Sequence, residues 1–597
     1  MFEGSIEDVL RQYWGFDHFL PLQKQAIECV GNGRDSVVVL PTGGGKSLCF
    51  QAPAVLLPHL TLVVSPLISL MKDQIDSLLE CGIAAGRLDS TMSHTERNEV
   101  IDRLRENKLK LLYVSPERLL MPRFLDFLKT CGISSVAIDE AHCVSMWGHD
   151  FRPEYRRLGT LRESLPGVPI GAYTATATEQ VRNDIAGQLR LDRPKILVGH
   201  FDRPNLIYRV HRRTNMMKQI REVLDRHKGE SGIIYCIRRS DVDEMTRSLA
   251  AQGYRVLPYH AGMSDEERKK SQDSFIEEEV DLIAATVAFG MGIDKSNVRF
   301  VIHAAMPKSL EHYQQESGRA GRDGLEAECI LLYSGSDYLV WKRILEESEA
   351  QTIQIGNAKL GQMYRYCSGV ACRHRTILGY FGQQLAKDGC HACDICLGEV
   401  KCVPDALITA QKILSSVIRQ GERFGAEYTA GVLMGSSEDR ILANKHNALS
   451  TYGLLENESR SAVRDWIEQL VEQEFLERSA EFKILKVTDK GKRLLKGLEH
   501  PLLLEPPQKK PAPKPPAATD SWEGVDETLF ERLRILRRKL AKRRSVPAYI
   551  VFNDATLREL ARKKPESSEA LLRVSGIGIK KLEQYGEAIL SEILKSG

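Results

Sequence analysis

The sequence predicts an α/β protein built on two doubly wound parallel sheets in tandem, followed by smaller, mainly helical modules. Short β-branched runs with few charges, SVVVL, TLVVS, LLYVS, SVAID and GAYTA, alternate with longer amphipathic stretches between about residues 36 and 210. The rhythm returns as GIIYC, DLIAAT, FVIHA and ILLY between about residues 231 and 333. Strands covered on both faces by crossover helices read this way. The 597 residues allow about three to five domains, each large enough for its own core. At 42% hydrophobic, 27% charged and 7% aromatic, the chain has the composition of an ordinary folded protein, which excludes disordered, fibrous and disulfide-stapled classes.

The predicted α/β domains occupy residues 1–204 and 205–338, and a cysteine-bearing region follows in 339–402. Residues 403–500 show helical periodicity (AVRDWIEQLVEQEFL), then FKILKVTDKGKRLL, a short strand and a terminal helix, the outline of a small DNA-binding module. Residues 501–520, rich in Pro and Lys, read as a semi-extended linker, and 521–597 as an independent helical domain. No repeat at solenoid periods is present.

Lys+Arg 83 against Asp+Glu 80 gives only +3, so nucleic-acid binding is not legible in the total. It is legible locally: residues 501–597 hold 19 Lys/Arg and 13 Asp/Glu, about +6, leaving the rest near −3. The acidic start MFEGSIEDVL does not resemble a signal or transit peptide. The uncharged stretch from Ser47 to Met71 is broken by Pro53, Pro58 and Pro66, so it reads as helix, turn and strand rather than a membrane span. Thirteen cysteines without an export signal suggest a reducing compartment, where clustered thiols bind metal more often than they form disulfides.

LPTGGGKS, Leu40 to Ser47, lies between an apolar strand and a helix-like stretch, where a phosphate-binding loop belongs. Thr42, Gly43, Gly44 and Gly45 would turn backbone N–H groups toward phosphate oxygens, Lys46 would pair with the β/γ phosphates, and Ser47 would ligate Mg²⁺. Leu40 stands where the first glycine of the usual pattern would be, and alone the segment also reads as a tight turn. Asp139 and Glu140 follow the strand SVAI, at the end of a parallel strand where open α/β sheets bind ligands. Asp139 can hold Mg²⁺ and Glu140 can orient or deprotonate an attacking water. In the second domain QESGRAGRDG presents Gln315, Arg319 and Arg322 at helical spacing, cations able to neutralise charge on a transferring phosphoryl group when the cleft closes.

These segments, together with YTATAT (Tyr173 to Thr178) and ATVAFGMGIDK (Ala285 to Lys295), resemble the ordered motifs of superfamily two helicases. SPLISLMKDQ, SPERL and AHCVSMWGHDFRPEY narrow the resemblance to the RecQ family. The resemblance implies two RecA-like domains, a zinc-binding region, a winged helix and a C-terminal HRDC domain. It implies an ATP-driven, Mg²⁺-dependent DNA helicase moving 3′ to 5′ on single-stranded and forked DNA in repair, recombination and replication. It further implies a monomer in a bacterial cytoplasm, near the nucleoid, with single-strand DNA-binding protein and recombination factors as partners and no membrane association.

By the same resemblance, Phe16 would stack on adenine and Gln23 hydrogen-bond its edge; the sequence departs from the family at Leu20, usually arginine, and Leu22, usually glycine. Thr174 and Thr176 would help link the domains, and Gly290, Gly292, Asp294 and Lys295 would meet nucleotide and strand. Trp147, His149, Phe151 and Arg152 mix aromatic and basic groups just after the DEAH tetrapeptide, a composition suited to stacking on bases and reporting DNA to the hydrolytic site. In the HRDC-like domain Tyr549 is the candidate DNA contact. A wing hairpin around Arg478 to Lys486 looks short for splitting a duplex.

Cys390-x-x-Cys393-x-x-Cys396 with Cys372 upstream supplies four thiolates for a tetrahedral, structural zinc ion, with Cys367, Cys402, His374 and His391 as nearby alternatives. The rival to the helicase is a DNA-stimulated ATPase that remodels or anneals DNA without productive unwinding.

Overall fold

Seven parallel strands form the first sheet, in the order β3-β4-β2-β5-β6-β1-β7. They are β1 Ser36–Val39, β2 Leu60–Val64, β3 Ala85–Leu88, β4 Leu111–Val114, β5 Ile133–Ile138, β6 Ile170–Thr174 and β7 Lys195–Val198. The second sheet has six, in the order β10-β11-β9-β12-β13-β8. These are β8 Leu206–Arg212, β9 Ser231–Tyr235, β10 Val256–Tyr259, β11 Leu282–Ala285, β12 Val298–His303 and β13 Ala327–Tyr333. Both sheets are parallel throughout, as expected from the sequence. The structure is a computed structural model describing residues 5–89, 91–148, 150–290, 295–347, 350–386, 389–478, 484–505, 522–544 and 546–595.

The four strands that hydrophobic runs did not reveal, β3, β7, β8 and β10, are the four sheet edges. The reason is burial. Central strands such as β1, β4 and β9 are buried at every position, so they are continuous apolar runs, whereas β7 and β10 each bury one position and tolerate Lys195 and Pro258 at partly exposed ones.

A helical region bearing helices Ala350–Ser368 and Arg373–Tyr380 packs on the second sheet. Asp394 accepts the Val210 N–H at 2.9 Å and makes two bonds to the buried Arg373 guanidinium, tying the cysteine-rich turns to edge strand β8. Residues 406–495 form a separate core around Trp466, Leu470 and Phe475, closed by the antiparallel hairpin of β14 (Leu476–Arg478) and β15 (Leu485–Val487). The tip of that hairpin, 479–483, lies outside the described residues.

The linker boundary at 501 is corrected by the structure. Leu503 is fully buried in the core of this module, its carbonyl accepts the Val403 N–H at 2.7 Å, and the Leu504 carbonyl accepts the Trp466 indole N–H at 2.8 Å. Residues 501–505 therefore close the preceding module. Leu503 is the apolar seal, a signal masked in sequence by the prolines on either side.

The C-terminal domain, a bundle around Leu533, Phe552 and Ile589, rests on both α/β domains. Arg537, with a wholly buried side chain, bonds Asp554 of its own domain at 2.7 Å and Glu278 of the second α/β domain at 2.9 Å. Arg538 meets the same Glu278 at 2.5 Å, and Arg544 meets Glu80 of the first α/β domain at 2.7 Å. Gly578 abuts Gly15: a Cβ on Gly15 would stand 2.7 Å from the Gly578 nitrogen. Among the described residues no helix is long and apolar enough to cross a membrane.

Candidate active site and metal centre

The loop Leu40 to Ser47 leaves the C-terminal end of β1 and enters the helix Leu48–Leu56. Gly43 and Gly45 take φ of 83° and 68°, open to glycine without strain. A side chain at Gly45 would collide with Gln23, whose Nε2 stands 2.3 Å from the Cβ position. That amide donates to the Gly44 and Gly45 carbonyls at 3.3 and 3.1 Å, while Gln23 Oε1 accepts the Leu20 N–H at 2.7 Å. Gln23, expected at an adenine edge, here braces the loop and is buried. Leu22 holds φ 69°, a left-handed conformation costly for leucine, which accounts for glycine being usual at that position in the resembled family. Phe16 remains 38% exposed beside Gly15.

Asp139 and Glu140 sit just beyond β5. Glu140, itself left-handed at φ 48°, has one carboxylate oxygen 3.7 Å from Lys46 Nζ and the other 3.3 Å from His142 Nδ1, which lies 3.0 Å from Thr174 Oγ1. Phosphate loop, acidic pair and the end of β6 are thus one polar chain. Burial and the neighbouring Glu140 charge push the Asp139 carboxyl up to about 6 despite Lys46. Two carboxylates crowded in a buried niche fit a hard divalent cation, and Asp139 with Ser47 offers the oxygen donors that Mg²⁺ takes.

The turn QESGRAGRDG departs from the helical reading. Its helix, Leu310–Ser317, holds Gln315 and stops at Gly318; Gly321 takes φ 57°, so Arg319 and Arg322 lie on the turn beyond. Two glycines within four residues end the helix where a spacing argument carried it on. The turn faces the phosphate loop: a Cβ on Gly318 would lie 3.2 Å from Thr42 Cβ, and one on Gly43 would lie 3.7 Å from Arg322 Cα. Arg319 is buried.

Arg203, absent from the residues singled out by sequence, joins the two segments. Its Nη1 donates to the Thr42 carbonyl at 2.5 Å and its Nη2 to the Ala320 and Gly321 carbonyls at 3.1 and 2.7 Å. Burial, with the Arg322 charge close by, pulls its pKa below the usual arginine value. A lone arginine beside Pro204 between two domains carries no local signal.

The aromatic segment turns back onto the acidic pair. The Tyr155 hydroxyl donates to the Asp139 carbonyl at 3.2 Å, the Arg152 N–H to the Cys143 carbonyl at 2.9 Å, and a Cβ on Gly148 would strike the His142 carbonyl at 2.3 Å. Arg152 pairs with Asp150 and reaches the Pro66 carbonyl at 3.1 Å; Phe151 is exposed and Trp147 half-buried. His149 lies outside the described residues, as do Gly292 and Asp294 of the later motif. Lys295 is buried 3.7 Å from Glu278, and Tyr549 is half-buried on the short helix Ala548–Val551 of the C-terminal domain.

Cys372, Cys390, Cys393 and Cys396 converge, their sulfurs all within 4.8 Å of one another. The Ala392 and Cys396 N–H groups point at the Cys390 and Cys393 sulfurs, each at 3.4 Å. Hydrogen bonds from Cys390 and Cys393 favour thiolate at Cys372, and the first of these pushes the Cys390 thiol up. Thiols crowded this closely compete for negative charge, which a tetrahedral Zn²⁺ would relieve. Of the alternatives, His374 bonds Asp202 at 2.6 Å and Cys367 is buried in the core; Cys402 and His391 are not among the converging ligands.

Family models match in the same order as these modules. They are a DEAD/DEAH box helicase domain over 20–184, a helicase conserved C-terminal domain over 215–324, a RecQ zinc-binding region over 335–397, an RQC domain over 403–513 and an HRDC domain over 526–593. The chain is 43% identical over 595 residues to an ATP-dependent DNA helicase RecQ of Pasteurella multocida, covering 98% of this chain and 93% of that one. It is 42% identical to the proteins of the same name from Haemophilus influenzae, covering 98% and 95%, and Bacillus subtilis, covering 98% and 98%. With the phosphate loop, the acidic pair, the arginine turn and the four-cysteine centre in one chain, it belongs to the RecQ family of ATP-dependent DNA helicases.

Proposed function

We propose that the chain couples Mg–ATP hydrolysis to 3′-to-5′ movement on single-stranded DNA and to duplex separation in repair, recombination and replication. The observation that carries this reading is the bridge from Thr42 through Arg203 to Gly321, which sets the phosphate loop of one domain against the arginine turn of the other. Lys46 and the loop amides hold the phosphates, Glu140 orients water, and Gln315, Arg319 and Arg322 approach the transferring group as the cleft closes. Ser47 and Asp139 would hold Mg²⁺, which when bound would supply positive charge at the phosphate oxygens. Cys372, Cys390, Cys393 and Cys396 would hold zinc, whose role would be to fix the helical region that braces edge strand β8. The aromatic segment, bonded to the Asp139 carbonyl, passes DNA occupancy to the acidic pair. The same reading has the protein act as a monomer in a bacterial cytoplasm, beside single-strand DNA-binding protein and recombination factors.

The second reading, remodelling without unwinding, is favoured by the short sequence span of the wing, Arg478 to Lys486. Strand displacement and hydrolysis on 3′- and 5′-tailed duplexes, with Lys46→Ala beside wild type, separate the two. Displacement of the 3′-tailed duplex alone, lost together with hydrolysis in the variant, supports the helicase. DNA-stimulated hydrolysis with no displacement supports the remodeller. A folded, zinc-loaded protein without stimulated hydrolysis overturns both.

A further inference from the structure

Lys359 stands where three domains meet. It lies on the helix Ala350–Ser368, and its ammonium donates to the Trp147 carbonyl at 2.8 Å and lies 3.4 Å from the Gly148 carbonyl. It also pairs at 2.8 Å with Glu311, whose carboxylate accepts the Tyr380 hydroxyl at 2.5 Å. The pair is shielded, with 17% of the Lys359 side chain and 5% of the Glu311 side chain exposed. Burial pushes the Glu311 carboxyl up, but the Lys359 ammonium and its hydrogen bond hold it below the usual range, so the carboxylate is ionised at neutral pH.

Each end of this contact leads to hydrolytic machinery. Trp147 and Gly148 belong to the segment whose Gly148 backs onto the His142 carbonyl and whose Tyr155 bonds the Asp139 carbonyl. Glu311 begins the helix Leu310–Ser317 and stands one turn before Gln315 on the same face. An ammonium has three donors and no acceptor, so one lysine can hold a carboxylate and a backbone carbonyl together. The carbonyl contacts are the weaker side of the arrangement, since losing them leaves the charge pair with Glu311 intact.

We propose that Lys359 is a positioning residue that latches the aromatic segment in its DNA-free position through the Trp147 and Gly148 carbonyls, anchored on Glu311 of the helix leading to the arginine turn. DNA that draws Trp147 outward breaks the carbonyl contacts while the Lys359–Glu311 pair persists. The latch therefore sets how much DNA is needed to switch hydrolysis on. The proposal rests on the reading that the aromatic segment passes DNA occupancy to the acidic pair.

The test compares full-length wild type, Lys359→Met, Lys359→Arg and Trp147→Ala, measuring hydrolysis without DNA and across a titration of single-stranded oligonucleotide. Lys359→Met keeps the aliphatic stem and removes the donors. Its DNA-free rate should rise by roughly 3- to 10-fold and its half-stimulating DNA concentration fall by a similar factor, with the saturated rate within about twofold of wild type. Lys359→Arg, which keeps donors and charge, should lie near wild type. A Lys359→Met protein of normal zinc content with unchanged DNA-free rate and half-stimulating concentration overturns the proposal. So does a parallel fall of both rates with thermal stability, which is the signature of a mere brace. If Trp147→Ala loses stimulation while Lys359→Met is unaltered, the latch alone fails; if Trp147→Ala is fully stimulated, the coupling reading fails and the latch with it.

Discussion

Arg203 and Thr42 are joined by a 2.5 Å hydrogen bond from guanidinium to carbonyl, and the other terminal nitrogen of Arg203 reaches Gly321 at 2.7 Å. One planar side chain thereby spans the two α/β domains at the point where the phosphate loop faces the arginine turn. Its fork suits this, because it presents several donors in a fixed plane. Arg203→Ala should lower kcat for DNA-stimulated ATP hydrolysis by roughly 10- to 100-fold through misplacement of the turn. Arg203→Lys should recover little, since one ammonium cannot span both loops. Steady-state hydrolysis, with nucleotide binding measured separately, checks this.

The four-cysteine centre makes a separate demand. Cys393 is fully buried, and its neighbour Asp394 bonds Arg373 and Val210. Cys393→Ser should reduce bound zinc from about one per chain toward zero and lower Tm by roughly 5–10 °C. Zinc release measured with a chromogenic chelator, together with a thermal melt, decides it; full zinc content in the variant would assign the site elsewhere.

Glu328 on β13 provides a pH signature. It receives Arg209 at 3.0 Å, Arg226 at 2.7 Å and His227 at 2.8 Å. Burial pushes its carboxyl up, but these partners hold it down at about 2, while Glu230 and Glu328 raise His227 against its own burial. A depressed carboxyl contributes stability that is complete above its unfolded value, near 4.5, and lost as pH falls through about 2. A raised histidine contributes below its unfolded value, near 6.5, and loses that contribution as pH rises through its folded value. This cluster is therefore most stabilising between about pH 4.5 and 6.5. Glu328→Gln should cost about 3 kcal/mol near pH 6 and flatten the acid limb of a stability–pH curve, as measured by urea unfolding. An acid limb parallel to wild type would refute it.

Charged pairs join the C-terminal domain to both α/β domains. Arg538 and Arg537 share Glu278, and Arg544 takes Glu80. Arg538→Glu sets like charges against each other and should release the domain, increasing the radius of gyration in small-angle scattering. High salt alone should leave wild type compact, because Glu278 is buried and buried pairs are little screened. An unchanged radius in the variant would mean that the contact of Gly578 with Gly15 suffices.

Some of this molecule is written in short stretches of sequence. The central strands are legible because burial on both faces demands continuous apolar residues, and the phosphate loop, the acidic pair and the cysteine trio because their chemistry needs particular residues at fixed local spacing. The edge strands β7 and β10 are not legible, since partial exposure relaxes that demand. The helix end at Ser317 was hidden by a spacing that fits a helix and a turn alike, and Leu503 by the prolines around it. Arg203 and Lys359 are ordinary residues in sequence; Lys359 stands 212 positions from the Trp147 carbonyl it holds. Groups that bind through their own chemistry declare themselves locally, whereas groups that act by joining domains acquire their role only when the tertiary structure sets a donor opposite a distant backbone carbonyl.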